Sequence, residues 1–359
     1  MTYAGSGVDY DALDAFKRAC QREAAGTVGL LKPHGLSEAD GTRGESAYLI
    51  DAGDGTFLAH VEEGLGTKNL VADAVGDASL YRNVGIDTVA TIVNDLATVG
   101  CLPAVVAMHA AVGDSGWFNN RERAAALAEG FAEGCRRSGA AWGGGETPAL
   151  AGIVRDESIV LAGSAVGRMK AEDRVRGDVA AGDVMVFLAS TGVHTNGLTL
   201  CRQIGDRVGF EAQLSDGTTY GRSLLEPSAI YCDFVGELRR RQIRPHYLAH
   251  VTGHGWRKLM RLDAPLVYRV DNVPPPMPIF DFIAERGPVE EREMYATFNM
   301  GVGFVAYVDA NDADQAVAAA EAAGHKAWIG GEVVSDGGRK AVEVPSLSIT
   351  FEADALQVR

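Results

Sequence analysis

Apolar residues recur along the chain at two spacings, and their alternation predicts a mixed α/β protein. Spacing of three to four places Leu13, Phe16 and Cys20 on one face of a first helix, which Asp9 can cap. Ile86, Val89, Ala90, Val93 and Ala97 form a second helical stripe that ends at Gly100, with Pro103 beyond. Asn120–Ser138 reads as a third helix, closed by Gly139. Strand-like runs occupy Ser46–Asp51 and Thr56–Glu62, joined at Gly53-Asp54-Gly55 as a hairpin, then Ala104–Val112 and Ser158–Val166. Past a charged, loop-like stretch, Arg168–Gly182, strands resume at Val184–Ala189, Gly301–Val308 and Ala327–Val334. Helices follow Gly197, Pro227 and Gly255 and cover Asp312–Ala323, with no tandem repeat.

Length and charge narrow this picture. At 359 residues the chain exceeds the roughly 250–300 that one core usually organises. Two domains are therefore expected, 1–169 and 170–359, with the boundary in the charged stretch. The net charge of −15 disfavours a nucleic-acid surface. Five scattered cysteines, none in a C-x-x-C pair, support neither a zinc site nor a disulfide framework. The uncharged run Leu96–Gly113 carries Gly100, Pro103 and His109, and reads as a helix end, a turn and a strand rather than a membrane span. No leader pattern opens the chain, so the expected location is cytoplasmic.

The glycines, 44 in all, cluster where ligand chemistry would sit. Gly64-Leu65-Gly66-Thr67-Lys68 lies between a strand and a helix, where exposed amides and a lysine suit phosphate oxygens; a plain turn is the bland alternative. The P-loop spacing is absent. Glu62, Glu63, Asp87, Asp95 and Glu146 are acids near element ends, and Asp87 and Asp95 share one helix face. Such carboxylates among apolar neighbours suit a cation and phosphate oxygens, although each alone also reads as a solvated charge or cap. Gly143-Gly144-Gly145-Glu146-Thr147 reads as backbone brought close to a ligand. His194 stands at a strand-to-helix junction, before Asn196-Gly197. His250 and His254 flank Thr252-Gly253, and the intervening glycine argues against a helical metal pair.

In this order and spacing the motifs resemble the aminoimidazole ribonucleotide synthetase (phosphoribosylformylglycinamidine cyclo-ligase) family over residues 3–335. The segments that carry the resemblance are Tyr3-Ala4-Gly5, Gly7-Val8-Asp9, Gly64–Lys68, Gly85–Ala90 with Val93-Asn94-Asp95-Leu96, Glu129-Gly130, Glu133-Gly134-Cys135 and Gly144–Thr147. Gly192–Gly197, Ala249–Gly253 and Met294–Gly303 continue it. The resemblance implies a two-domain α/β (α+β) fold, with an N-terminal domain that joins a second copy in a strand barrel and a C-terminal α/β domain. It implies ATP and Mg²⁺ as cofactors, a homodimer, and a small ribonucleotide substrate closed to an imidazole through a phosphorylated amide oxygen. On that reading Lys68, His194, Asn196 and His250 are catalytic. Gly64, Gly66, Thr67, Lys68, Asp87, Asn94, Gly144, Gly145, Glu146, Thr147 and Gly197 bind nucleotide, and Glu63, Asp95 and Glu146 hold metal.

The chain departs from the family pattern at Glu62-Glu63, at Met108-His109-Ala110, at Ala149 where a carboxylate is expected, and at His254 in place of glycine. These departures keep open two alternatives: ATP-driven activation of another amide or small acceptor, and a non-catalytic nucleotide-binding paralogue. Selenophosphate synthetase is disfavoured by the lack of a reactive cysteine in the N-terminal loop. The hydrogenase carbamoyl-modifying relative is disfavoured by Leu356-Gln357-Val358-Arg359, which lacks its terminal cysteine. Thiamine-phosphate kinase accommodates the His194 and Thr297-Phe298-Asn299 segments poorly.

Overall fold

A computed structural model describes residues 10–356 of the chain. The Asp9 cap and the motif residues Tyr3–Asp9 lie outside the described residues, as do Gln357, Val358 and Arg359. Two sheets organise the rest. The first is a half-barrel of β1 (Ser37–Glu38), β2 (Tyr48–Asp51), β3 (Thr56–Gly64), β4 (Val105–Val112), β5 (Ala141–Glu146) and β6 (Ile159–Lys170), in the order β1-β2-β3-β6-β4-β5. Its neighbours are antiparallel except β4 and β5, which run parallel.

Helices α1 (Tyr10–Ala25) and α2 (Asn69–Val75) flank this sheet in sequence, and α3 (Tyr81–Ala97) and α4 (Arg121–Ser138) pack together beside it. Asn120 caps α4 by accepting from the Arg123 N–H, and Gly139 ends it in the left-handed region. Glycine is what lets α3 and α4 approach so closely. A Cβ at Gly130 would lie 1.9 Å from the Arg82 carbonyl oxygen, and one at Gly85 would lie 2.5 Å from that of Leu127. The Glu129-Gly130 and Glu133-Gly134 motifs are thus packing devices.

The second sheet contains β7 (Val184–Ala189), β8 (Tyr247–His250), β9 (Val267–Val270), β10 (Val302–Val308), β11 (Ala327–Val334), β12 (Ala341–Val344) and β13 (Ile349–Glu352), in the order β13-β12-β9-β11-β7-β10-β8. Helices α5 (Leu198–Val208), α6 (Tyr220–Leu224), α7 (Cys232–Arg240), α8 (Pro278–Arg286), α9 (Glu291–Thr297) and α10 (Ala313–Ala322) surround it. Helix α3 is buried along nearly its whole length because it contacts β3 and β6 on one side and α7 and β8 on the other. One apolar cluster therefore joins Ile86, Val89 and Val93 to Val186, Phe234 and Phe304 across the two sheets.

Several local expectations change. The glycine cluster 143–145, expected to bring backbone close to a ligand, is strand. It forms the edge strand β5, where a Cβ at Gly145 would lie 2.0 Å from the Met108 carbonyl oxygen, so glycine serves the parallel pairing with β4. His250 ends β8, and the segment after it is a 3₁₀ turn, Gly255–Met260, not an α-helix. Four of the five cysteines are buried, and Cys20 is exposed. Leu13 and Phe16, the apolar stripe of α1, are 46% and 71% exposed. No helix among the described residues is long and apolar enough to cross a membrane.

Candidate active site

A cleft of about 610 Å³ opens where the end of β3, the polar face of α3, the loop after β7 and the 3₁₀ turn after β8 converge. Of the residues singled out from sequence, it gathers Glu63, Gly64, Gly66, Asp95, Asn196 and His254. Gly66 adopts φ 78°, a left-handed turn with open space where a side chain would stand, so this loop leaves room at the cleft.

The floor of the cleft is acidic. Glu63 and Asp95 both line it and lie close enough for their charges to interact. Burial and the Asp95 charge push the Glu63 carboxyl up to about 7, against the pull of Lys258. Burial alone would raise Asp95 as well. The hydrogen bond and charge of His250, with Lys258 and Arg261, outweigh it and hold Asp95 below the usual carboxylate range. His250 Nδ1 lies 2.7 Å from Asp95 Oδ1. The imidazole is nearly fully buried and does not line the cleft; it stands behind Asp95 and orients it.

The polar face of α3 divides into two functions. Thr91 and Asp95 face the cleft. Asp87, one turn before Thr91, and Asn94, next to Asp95, pin the segment 226–231 instead. Asp87 Oδ1 accepts from the Ser228 N–H at 2.8 Å and its hydroxyl at 2.5 Å. Asn94 accepts from the Tyr231 N–H and donates to the Ala229 carbonyl, both at 2.8 Å.

Lys68 is the largest revision. It is fully buried, with Nζ 2.7 Å from Asp87 Oδ2 and 2.8 Å from the Glu226 carbonyl oxygen. The structure therefore places it in the latch between the two halves rather than among the residues lining the cleft. His194 is likewise buried, at φ 56°. Its Nε2 accepts from the Thr191 N–H at 3.1 Å, and Nδ1 has no partner among the described residues. Burial, followed by the nearby His250 and Lys68 charges, holds this imidazole neutral. Gly197 has a steric reason: a Cβ there would lie 2.1 Å from the Phe298 ring. Thr67 does not line the cleft.

Gly144, Gly145, Glu146 and Thr147 line a separate shallow recess with Met108 and Trp142. Glu146 lies opposite His109, Ala162 and Gly64 in successive strands, three strand spacings or about 14 Å from β3. Within one chain it cannot join Glu63 and Asp95 at a metal, and no cluster of three His, Cys, Asp or Glu side chains suits a metal among the described residues.

On the opposite wall His254 was singled out from the sequence, but the cations beside it were not. Lys258 and Arg261 face the cleft from the 3₁₀ turn, Lys17 from α1, and His254 from the turn's start. Lys258 Nζ donates to Thr252 Oγ1, and Arg261 donates to Ser46 Oγ at 2.7 Å and the Gly44 carbonyl at 2.9 Å. The signal available in sequence was faint: two cations three residues apart after Thr252-Gly253, with no motif around them.

Residues 44–169 match the family described as AIR synthase related protein, N-terminal domain, and residues 180–343 match its C-terminal domain. The phosphoribosylformylglycinamidine cyclo-ligase of Methanocaldococcus jannaschii is 35% identical over 339 residues, covering 93% of this chain and 92% of that one. The enzyme of the same name from Carboxydothermus hydrogenoformans is 34% identical over 358 residues, covering 93% and 96%. Among solved structures, hydrogenase maturation protein HypE in complex with ATP superposes with a TM-score of 0.55 at 20% identity, over 76% of this chain and 79% of that one, a likeness of fold.

Proposed function

The chain belongs to the AIR synthase related family, and from that membership we propose that it closes formylglycinamidine ribonucleotide to aminoimidazole ribonucleotide at the expense of ATP. The observation that carries this reading is the cleft itself, where a paired acid floor faces a cationic wall, as two phosphorylated substrates require. The formyl oxygen takes the γ-phosphoryl group of ATP, releasing ADP. The amidine-side nitrogen then attacks the activated carbon and loses a proton, and phosphate leaves with its oxygen. Such chemistry rests on charge neutralisation and positioning more than on a protein nucleophile.

Glu63 and Asp95 fit Mg²⁺. Two adjacent buried carboxylates, one holding its proton up to about 7, are relieved by a divalent cation that prefers one or two carboxylates plus phosphate oxygens. When bound, the ion neutralises charge on the transferring phosphoryl group. His250 fixes Asp95 for that role, and Asn196 donates to substrate oxygens from the cleft rim. Lys68, Asp87 and Asn94 hold the two halves, 1–169 and 170–359, in register behind the site.

The reading includes a cytoplasmic homodimer. Val105, Val160 and Val166 are exposed on the sheet face away from α3, and Val105 pairs directly with Val166 across β4 and β6. Beside them β5 offers an unpaired, exposed edge. Exposed valines on a sheet face beside an open edge favour a second copy. Docking there carries the partner's glycine strand, Gly144–Thr147 in each copy, to the interface. The deciding experiment supplies Mg²⁺, ATP and formylglycinamidine ribonucleotide and follows ADP and the aminoimidazole product. ADP formation only with another acceptor overturns the substrate, and no turnover with any acceptor overturns the enzyme reading.

A further inference from the structure

Lys258 and Arg261 stand out because neither has a carboxylate within 4 Å among the described residues, in a chain of net charge −15. Every polar contact they make is with a neutral group: the Thr252 hydroxyl, the Ser46 hydroxyl and the Gly44 carbonyl. Both line the cleft, and Lys17 from α1, bridged to Asp14 at 3.6 Å, stands at the same wall. Asp95 and Glu63 attract Lys258 across the cleft more than Arg261 and Lys17 repel it, yet no carboxylate among the described residues comes within 4 Å of the ammonium, so its hydrogen-bonding capacity toward a further anion stays open. The acids in view, Glu63 and Asp95, lie together on the facing floor and are the pair suited to Mg²⁺.

We infer that Lys258, supported by Arg261, binds the phosphomonoester of the ribonucleotide substrate. This rests on the reading of function above and assigns the two ends of its cleft. The two phosphate sources differ in what they bring. The ATP polyphosphate arrives with a divalent cation and belongs to the acid floor. A phosphomonoester carries close to two negative charges near neutral pH and brings no cation of its own, so the protein supplies them. Lys258 and Arg261 supply two. Arg261 is held by its bonds to Ser46 and Gly44, where it fixes the loop 44–46 and contributes charge, and the more mobile Lys258 ammonium is assigned the direct contact. His254 closes the same wall from a left-handed backbone, φ 72°, a conformation that costs any residue but glycine free energy and holds the imidazole at the cleft.

The test titrates ribose 5-phosphate and ribose into the full-length protein by calorimetry, with and without Lys258→Gln and Lys258→Arg. The parent is expected to prefer the phosphate ester, K258Q to weaken it about 10- to 100-fold, and K258R to restore most of the loss. A non-hydrolysable ATP analogue with Mg²⁺ should bind K258Q as it binds the parent. In turnover, the preference for ribonucleotide over its dephosphorylated ribonucleoside should collapse in K258Q. If K258Q does not fold, as judged by circular dichroism, the parent alone decides: ribose 5-phosphate binding no tighter than ribose overturns the assignment. A loss confined to the ATP analogue overturns it too. If ribose 5-phosphate binding depends on Lys258 while no ring-closed product forms, the cyclo-ligase reading falls and this site stands. If product forms equally well from ribonucleotide and ribonucleoside, the site falls and the activity stands.

Discussion

Replacing Lys68 with methionine should cost stability before it costs nucleotide binding. Both members of the Lys68–Asp87 pair are 0% exposed, and their charged atoms are 2.7 Å apart. Removing the ammonium leaves a buried carboxylate held only by the two Ser228 donors and strands the Glu226 carbonyl oxygen. Breaking one partner of such a pair costs about 3–5 kcal/mol. Unfolding entropy of about 2.1 cal/mol/K per residue gives a 359-residue cooperative unit about 0.75 kcal/mol/K, so the melting temperature should fall by about 4–7 °C. Asp87→Asn, which strands the ammonium instead, should fall by a similar amount. The double variant Lys68→Met/Asp87→Leu should cost no more than either single change, because the neutral pair leaves no orphaned charge. Calorimetric melting of the four proteins closes the cycle, and nucleotide-analogue titration runs beside it. The reasoning is refuted if K68M melts within about 1 °C of the parent while losing tenfold or more in ATP affinity. Lys68 would then act on phosphate, as its loop suggested from sequence.

Further outcomes follow from the same geometry. Glu63, raised to about 7, binds a proton in the folded chain that the unfolded chain releases above about 4.5, so its contribution lowers stability as pH rises through that window. Binding Mg²⁺ must displace that proton, so affinity for the metal should be tighter at pH 8 than at pH 6, and Glu63→Gln should flatten the dependence; equal affinity at both values in the parent rejects the acid pair as the metal site. Val166→Arg on the exposed sheet face should shift the protein to a monomer in light scattering, and a parent already monomeric at micromolar concentration would remove the dimer. His254→Gly should raise the melting temperature by relieving the left-handed backbone, while weakening ribose 5-phosphate; a lower melting temperature would show that the imidazole serves packing instead.

The elements legible in sequence were those with a strong period. The hairpin β2–β3, the strands β4, β6, β7, β10 and β11, and the helices α3 and α4 all carry local apolar spacing with a glycine, proline or polar stop. The strands β8, β9, β12 and β13 were missed. Each has four residues, and Tyr247–His250 is buried on both faces, so no alternation betrays it. The glycine strand β5 was hidden for the opposite reason. Its residues have low strand propensity, and only the carbonyl of Met108 beside Gly145 shows why a side chain is excluded.

The site illustrates a different limit. Spacing along α3 correctly put Asp87 and Asp95 on one face, and a face is all that spacing can specify. Which acid meets a cleft and which meets a latch depends on partners some 140–160 residues away, Ser228 for Asp87 and His250 for Asp95. The same long-range closure decides the cations. Lys68 drew attention through its glycine neighbours, yet it is neutralised by Asp87, whereas Lys258 sits in an unremarkable sequence and reaches the cleft without a carboxylate of its own. In a strongly acidic chain a lysine near a glycine loop has many potential counterions. The informative cation is the one the fold leaves without an acid, and that property belongs to the packed structure rather than to any window of sequence.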